Sequence, residues 1–244
     1  MNRFSKWNVR ALLGIAFAVM LITVGCGTTS SSSNSAQMRI LHLSPGEPNL
    51  DLLIDSKTVS SGIAYGVPTG FITVAGGNHE LKVKQSNTTN DVFDILLEPF
   101  ADNTSYTYLI VGNAPSPVGQ KLVDDHSLPT TSGDFKIRVI NASPDSGPVD
   151  VYIITPGTKD CVMSPNPAIK PTIAGLASLG SSTYQMLPSG SYEIAIAAQG
   201  VTDKCLLPII QPSFSNNQNR TLVMYNQVPN VNGLYTTLTL TDLN

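Results

Sequence analysis

Charge, tryptophan, histidine and cysteine are all scarce in this 244-residue chain. Charged residues make up 13% of it, a proportion that fits a β-rich exported protein better than a cytosolic helical one. The net charge is −3, and residues 1–25 hold Arg3, Lys6 and Arg10 without an acid, so the remainder sits near −6. A mildly acidic chain with no basic stripe is a poor electrostatic match for nucleic acid. There are three histidines, His42, His79 and His126, none spaced as a metal-binding pair, and there is no His-Glu-x-x-His. Gly-x-Ser-x-Gly, Ser-x-x-Lys and Gly-x-x-x-x-Gly-Lys are also missing, which removes the common signals for serine nucleophiles and phosphate loops. The single tryptophan, Trp7, lies in the N-terminal segment. A carbohydrate-binding sandwich usually presents a Trp/Tyr platform, so this absence lowers that reading. No heptad pattern exists, and the uncharged stretch Ala11 to Gly25 is shorter than the roughly 20 residues a spanning helix needs.

What the N-terminus does contain is an address. A basic start, a short apolar run and a small residue before Cys26 form a secretory signal over residues 1–25. Thr23-Val24-Gly25-Cys26 resembles the bacterial lipobox, whose Cys is acylated and becomes the new N-terminus, and residues 26–36 then form a Ser-rich polar tether. The resemblance implies lipidation at Cys26 and a membrane held through that lipid. Since Gly27 is not Asp, it also implies the outer membrane in a Gram-negative cell. The competing reading is an ordinary cleaved signal with an incidental cysteine. The other two cysteines, Cys161 and Cys205, are an even pair in an exported chain and are expected to form a disulfide, with two free thiols as the alternative.

The rest of the chain is organised by a repeat. Arg39 to Ile54 and Arg138 to Ile153 align without a gap, 99 positions apart. Each copy reads as an apolar strand, a Ser-Pro turn (Ser44-Pro45, Ser143-Pro144) and a second strand opening on an aliphatic–Asp pair (Asp51, Asp150). Strands are expected at Met38–Leu43, Leu50–Asp55, Phe71–Ala75, His79–Lys84, Val92–Leu97, Tyr106–Val111 and Val118–Val123, with residues 57–68 looser. The order recurs in copy two, where the hairpin glycines Gly77 and Gly190 stand 113 apart. The 14 extra residues are expected between Thr155 and Gly180, around Cys161, and Asp124 to Gly133 is expected to be a solvated linker. This predicts an all-β chain with two tandem β-sandwich domains, 37–124 and 134–244.

Residues 138–145 (Arg-Val-Ile-Asn-Ala-Ser-Pro-Asp), 149–153 (Val-Asp-Val-Tyr-Ile) and 187–192 (Leu-Pro-Ser-Gly-Ser-Tyr) resemble the "domain of unknown function 4397" (DUF4397) family. Copy one resembles it more loosely, with His42, Leu43 and Gly46 in place of Asn141, Ala142 and Asp145. The resemblance spans nearly all of residues 38–244. It implies immunoglobulin-like or transthyretin-like sandwiches in an exported, often lipid-anchored protein, and it brings no catalytic residues.

Two readings of the repeat compete. Asn141, Ser143, Asp145 and Asp150 supply oxygens close in sequence, as hard-cation sites do. The same residues are those that satisfy turn backbone, and copy one keeps the frame (Arg39, Ser44, Pro45, Asp51) while losing the extra oxygens, which favours a structural role. Arg39 with Asp51, and Arg138 with Asp150, are expected to pair across neighbouring strands. No metal or cofactor is expected. The resulting expectation is a non-catalytic envelope module for binding, adhesion or structure, with an envelope protein or glycan as partner. The competing class is an accessory or hydrolytic domain of an envelope enzyme system, with a site near the 155–180 insertion.

Overall fold

The strands that open and nearly close each copy contain consecutive apolar residues (Ile40-Leu41, Leu109-Ile110-Val111, Val139-Ile140 and Leu222-Val223-Met224) rather than strictly alternating ones. Such runs fold as strands covered on both faces. The computed structural model, described for residues 34–157, 169–227 and 233–243, places them that way. The signal segment, Cys26 and most of the tether lie outside the described residues, as does Cys161.

The N-terminal half has β1 (Ser35–His42), β2 (Leu50–Ile54), β3 (Lys57–Ile63), β4 (Ile72–Ala75), β5 (Gly77–Gln85), β6 (Asp91–Phe100), β7 (Ser105–Val111) and β8 (Val118–Val123). They form two four-stranded sheets, β4-β1-β7-β8 and β3-β2-β5-β6. Met38, Ile40, Leu52, Leu81, Tyr108 and Ile110 belong to the apolar core of this half. The C-terminal half has β9 (Asp134–Asn141), β10 (Val149–Ile154), β11 (Ile173–Leu176), β12 (Gly180–Ser181), β13 (Gln185–Pro188), β14 (Gly190–Ser191), β15 (Glu193–Ala198), β16 (Ser213–Phe214), β17 (Asn219–Asn226) and β18 (Tyr235–Leu243). One sheet runs β12-β9-β17-β18, with β13 also paired to β9; a second runs β11-β10-β15, and β14 and β16 form a short pair. Its core includes Phe135, Ile137, Val151, Ile196, Leu222 and Met224. No helix occurs among the described residues, so the chain is all-β and sandwich-like.

The halves share one pairing scheme. β1 runs parallel to β7 with Arg39 beside Thr107, and β9 runs parallel to β17 with Arg138 beside Thr221. Two sequence expectations change. Residues 57–63, read as loose, form β3. The 155–180 stretch, read only as the place of 14 extra residues, also contains β11, the counterpart of β3: Gly62 and Gly175 both adopt positive φ, at 65° and 61°. Each donates its N–H to the repeat aspartate, Gly62 to Asp51 at 2.9 Å and Gly175 to Asp150 at 2.7 Å. Backbone of that conformation is open to glycine at little cost, and it gives a strand pattern too irregular to read by alternation.

The second faces of β1, β7, β9 and β17 meet each other. Leu41, Leu43, Leu109, Ile140, Val223 and Leu240 belong to a third core, between the halves. Beside it lies a buried cluster of four charges. Arg39 Nε donates to Thr107 Oγ1 (2.8 Å), Nη1 to the Thr241 carbonyl (2.8 Å) and Nη2 to Asp242 Oδ1. Arg138 does the same in the opposite sense: Nε to Thr221 Oγ1 (3.0 Å), Nη1 to the Val123 carbonyl (2.9 Å) and Nη2 to Asp124 Oδ1 (2.7 Å). Asp124 also lies 3.4 Å from Arg39, and the Thr107 and Thr221 hydroxyls donate to Asp124 and Asp242. Arg39 packs over the Phe71 ring and Arg138 over Tyr184, whose hydroxyl donates to Asp242 at 2.8 Å. Burial holds the Asp124 carboxyl above its ordinary pKa, against the pull of the two guanidinium groups.

This corrects the expected pairings. Arg39 and Arg138 do not pair with Asp51 and Asp150; each reaches a carboxylate contributed by the other half. The intracopy pairing fails because the arginines point to the face opposite their own core, whereas Asp51 and Asp150 bind backbone N–H groups at the outer sheets. Asp124 is likewise not a solvated linker residue, being 5% exposed within the cluster. Its neighbour Asp125 binds Lys136 at 2.7 Å, which draws its carboxyl below the ordinary value despite partial burial.

Removing one acid from a buried pair strands a charge, at a cost of about 3–5 kcal/mol, whereas apolar replacement of both partners is often close to neutral. Asp242→Ala is therefore expected to lower unfolding free energy by about 3–5 kcal/mol in denaturant titration. The double variant Arg39→Met/Asp242→Leu should recover most of that loss. Equal losses in the two variants would refute this account.

Candidate functional site

The Ser-Pro stretch is a closed hydrogen-bond system in copy two and nearly so in copy one, where the buried Ser44 hydroxyl makes no hydrogen bond. In copy two, Asn141 Oδ1 accepts the Ser143 N–H at 3.3 Å, and its Nδ2 donates to the Gly147 carbonyl at 3.1 Å. In copy one the same two bonds are made by a different residue. His42 Nδ1 accepts the Ser44 N–H at 3.3 Å, and Nε2 lies 3.1 Å from the Pro48 carbonyl. This arrangement requires a neutral imidazole with its proton on Nε2. Burial lowers the His42 pKa below 6.5, in the same direction. His42 therefore does the work of Asn141, and copy one is less degenerate than its sequence suggests.

The oxygens considered for a cation are directed elsewhere. Asp145 accepts from the Ser143 hydroxyl (2.6 Å), from Asn226 Nδ2 (3.0 Å) and from the Gly233 N–H (3.2 Å). Asp150 binds the Gly175 and Gly200 amides at 2.7 and 2.9 Å, and its counterpart Asp51 binds the Gly62 amide and the Ser86 hydroxyl at 2.9 and 2.6 Å. Among the described residues no group of three or more His, Cys, Asp or Glu side chains is placed to hold a metal ion. Ser44 and Ser143 are fully buried, and Arg39, Arg138, Asp51 and Asp150 serve the frame, so the eight motif residues do not converge on one surface site.

The other candidates disperse. His126 packs edge-on against Phe71 at 6.3 Å. Cys205 is half-buried against Tyr152, Ala195 and Ala197, and its backbone bridges Ala197. The feature that sequence reasoning missed is a cavity of about 350 Å³ in the N-terminal half, lined in part by Ile54, Val59, Val74 and His79. At its edge His79 Nδ1 lies 2.6 Å from Asp55 Oδ2. That hydrogen bond raises the imidazole pKa and lowers the carboxyl pKa. No motif announces such a cavity.

Residues 36–152 match the model of a family described as "Domain of unknown function (DUF4397)". The match runs from β1 into β10, taking in the N-terminal half and the first two strands of the second. The DUF4397 resemblance read from the sequence reached further, across nearly all of 38–244, and was stronger in copy two. No curated protein matches the chain. Among solved structures it is similar to one described as "Alpha-glucan binding by a streptococcal virulence factor", at 10% identity, covering 77% of this chain and 93% of that one, with a TM-score of 0.28. A second, of family 41 carbohydrate-binding modules from streptococcal virulence factors, shares 13% identity over 77% and 93% at a TM-score of 0.27. A third, a family 26 carbohydrate-binding module from Eubacterium rectale Amy13K with maltoheptaose, shares 8% identity over 84% and 96% at 0.27.

The His42 geometry sets a pH dependence. The unfolded imidazole takes a proton near pH 6.5, while the folded one resists it to lower pH, so the unfolded state binds more protons in that window. Stability is then full above pH 6.5 and falls as pH drops toward the folded pKa. His79, whose pKa is raised, acts in the opposite sense: its contribution is full below 6.5 and fades as pH rises through the folded value. His42→Asn is expected to keep the fold and to remove the acid-side decline, read as the difference in Tm between pH 5 and 7. His42→Ala should cost about 1–3 kcal/mol at pH 7 by orphaning the Ser44 amide and Pro48 carbonyl.

Proposed function

We propose that the chain is an exported, lipid-anchored envelope protein whose sandwich body is a non-catalytic module for binding, adhesion or structure. The observation that carries this reading is the engagement of the polar side chains that the two copies share. The arginines and aspartates of the repeat are each turned to backbone amides or to the buried ion cluster, Ser143 is bonded to Asp145 and Ser44 is fully buried, which leaves the motif as frame. In this reading residues 1–25 are the signal, Cys26 carries the lipid, residues 26–36 are the tether, and 37–124 and 134–244 are two domains locked face to face. The partner is an envelope protein or a glycan, and in a Gram-negative cell the anchor sits in the outer membrane. One acyl chain holds a protein only marginally, and several on one cysteine hold it stably.

The same reading includes a disulfide between Cys161 and Cys205. The packing of Cys205 with Ile154 and Ile169, which flank in sequence the stretch containing Cys161, supports it. A staple there would tie down the extra length that copy one lacks.

The test is metabolic labelling with an alkyne fatty acid in a bacterial host, followed by fractionation. The wild-type chain is expected to carry label and to sediment with membranes, and Cys26→Ala is expected to lose both. An unlabelled wild type would overturn the anchor. Thiol alkylation of the same membranes under denaturing conditions, with and without prior reduction, should modify Cys161 and Cys205 only after reduction.

A further inference from the structure

The two Ser-Pro turns are held by equivalent bonds but differ in what a proton does to them. In copy two Asn141 Oδ1 accepts twice, from the Ser143 N–H at 3.3 Å and from the Ser146 hydroxyl at 3.0 Å. At the offset of 99 positions that relates the copies here, Glu47 stands in place of Ser146 and Gly46 in place of Asp145. Copy one thus carries a carboxyl group at the position from which copy two sends a hydroxyl to Asn141. Glu47 is 8% exposed, and its Oε2 accepts from Gln85 Nε2 at 3.0 Å. Among the described residues no lysine or arginine pairs with it. The Ser44 hydroxyl beside it in the turn is buried and unbonded, because the aspartate that holds its counterpart is missing.

Neutral His42 uses both ring nitrogens, Nδ1 to accept the Ser44 N–H and Nε2 to donate to the Pro48 carbonyl. A second proton has only Nδ1 to go to, and Nδ1–H then faces the Ser44 N–H, donor against donor. The ring cannot keep both bonds. The Glu47 carboxyl is an acceptor close enough for its charge to act on the imidazole. The other titratable groups on this side come from elsewhere in the fold. Tyr65 meets the imidazole edge-on at 5.5 Å, and behind it lie Tyr225 at 5.9 Å and Asp145, both from the C-terminal half.

We propose that the turn at 44–49 is an acid-operated switch: on protonation His42 releases the Ser44 amide and pairs with Glu47, and the turn opens at Ser44. The proton comes from solvent and rests on Nδ1, and no covalent bond other than that N–H forms or breaks. Burial keeps the imidazole neutral to below pH 6.5, and an ordinary glutamate stays ionised down to about pH 4.3, so the switch operates between the two titrations. Copy two has no such device, since Asn141 does not titrate and position 146 is a serine. The movement reaches the other half through Tyr65. The His42 carbonyl accepts the Gly66 N–H at 2.9 Å, and the neighbouring Tyr65 hydroxyl donates to the Asn226 carbonyl at 2.8 Å. The switch depends on neither the lipid anchor nor the choice of envelope partner.

The test is an NMR titration of the isotope-labelled full-length chain in detergent from about pH 7 to 4.5. His42 is expected to pass from the Nε2–H tautomer to the doubly protonated ring. In the same transition solvent exchange of the Ser44 amide should accelerate about 10-fold or more, as for the loss of one hydrogen bond, and the Asn226 carbonyl carbon should shift. Glu47→Gln keeps an acceptor for Gln85 and should move the His42 transition to lower pH. His42→Asn should leave the Ser44 amide protected throughout. Tyr65→Phe should remove the Asn226 shift while His42 still titrates. A His42 that stays neutral until the chain unfolds, or that titrates while the Ser44 amide remains protected, overturns the switch, and both are read on the wild type even if a variant fails to fold. The same His42 midpoint in folded Glu47→Gln overturns the pairing. An Asn226 shift that persists in Tyr65→Phe overturns the link to the other half.

Discussion

Two arginines placed in apolar strands impose the strongest constraint on this molecule. A guanidinium group on the buried face of a sheet requires a carboxylate and enough acceptors to replace water, because an unpaired buried charge costs several kcal/mol. Neither half supplies both alone. Arg39 reaches Asp242, Arg138 reaches Asp124, and the hydroxyls of Thr107 and Thr221 orient the acids. The apolar contact between the halves is non-directional and would accept several relative placements. The ionic cluster accepts one, because each arginine donates to an acceptor across the interface. The charges thus set geometry more than they add affinity between the halves.

Much of the frame is legible in the sequence. The repeat predicts two similar sheet pairs, and the Gly77 and Gly190 hairpins fall at the strand boundaries where they are expected. What misled was the assumption that each copy satisfies its own polar groups. A lone arginine in a run such as Arg39-Ile-Leu-His-Leu predicts a buried carboxylate partner but does not say which one. Sequence proximity pointed to Asp51 and Asp150, whereas strand alternation sends those aspartates to the outer sheets. The partners Asp124 and Asp242 are hidden because one falls in a stretch that composition reads as linker and the other close to the end of the chain. Strands β3 and β11 escaped for a different reason: their register breaks around Gly62 and Gly175, and a broken register defeats a search for period-two alternation.

Substitutions between the copies separate by their physical effect rather than by residue similarity. His42 for Asn141 is a change of side-chain class, yet both supply one acceptor and one donor to the same two backbone groups. Its consequence is titration, because an imidazole performs the task only while neutral. Gly66 and Leu179 likewise stand at matching places, both at positive φ, although leucine adopts that backbone reluctantly. In the first half Gly66 lies against the Tyr225 ring, where a Cβ would come within about 3.0 Å of the hydroxyl. Tyr65 there donates to the Asn226 carbonyl across the interface at 2.8 Å, so the close approach is part of how the halves fit.

The replacement of Phe135 by Ala36 belongs to a different class, since volume returns from another strand: register sets Tyr106 and Tyr108 where copy two has Arg220 and Leu222, and Ala36 shares one core with both. Ala36 is still buried, so the change cannot be read as release of a core position to solvent. Cores are close-packed, and a missing ring usually collapses or is filled from nearby. Here the aromatic pair Phe100 and Tyr106 packs on its own at 5.6 Å, and the polar pair His79–Asp55 stands where Tyr192 and the aliphatic Ile154 stand in copy two. Loss of the ring is thus met by a ring from a neighbouring strand rather than left as a packing defect. The repeat therefore divides the molecule: what the copies share holds the frame, and where their cores differ the rings come from different strands.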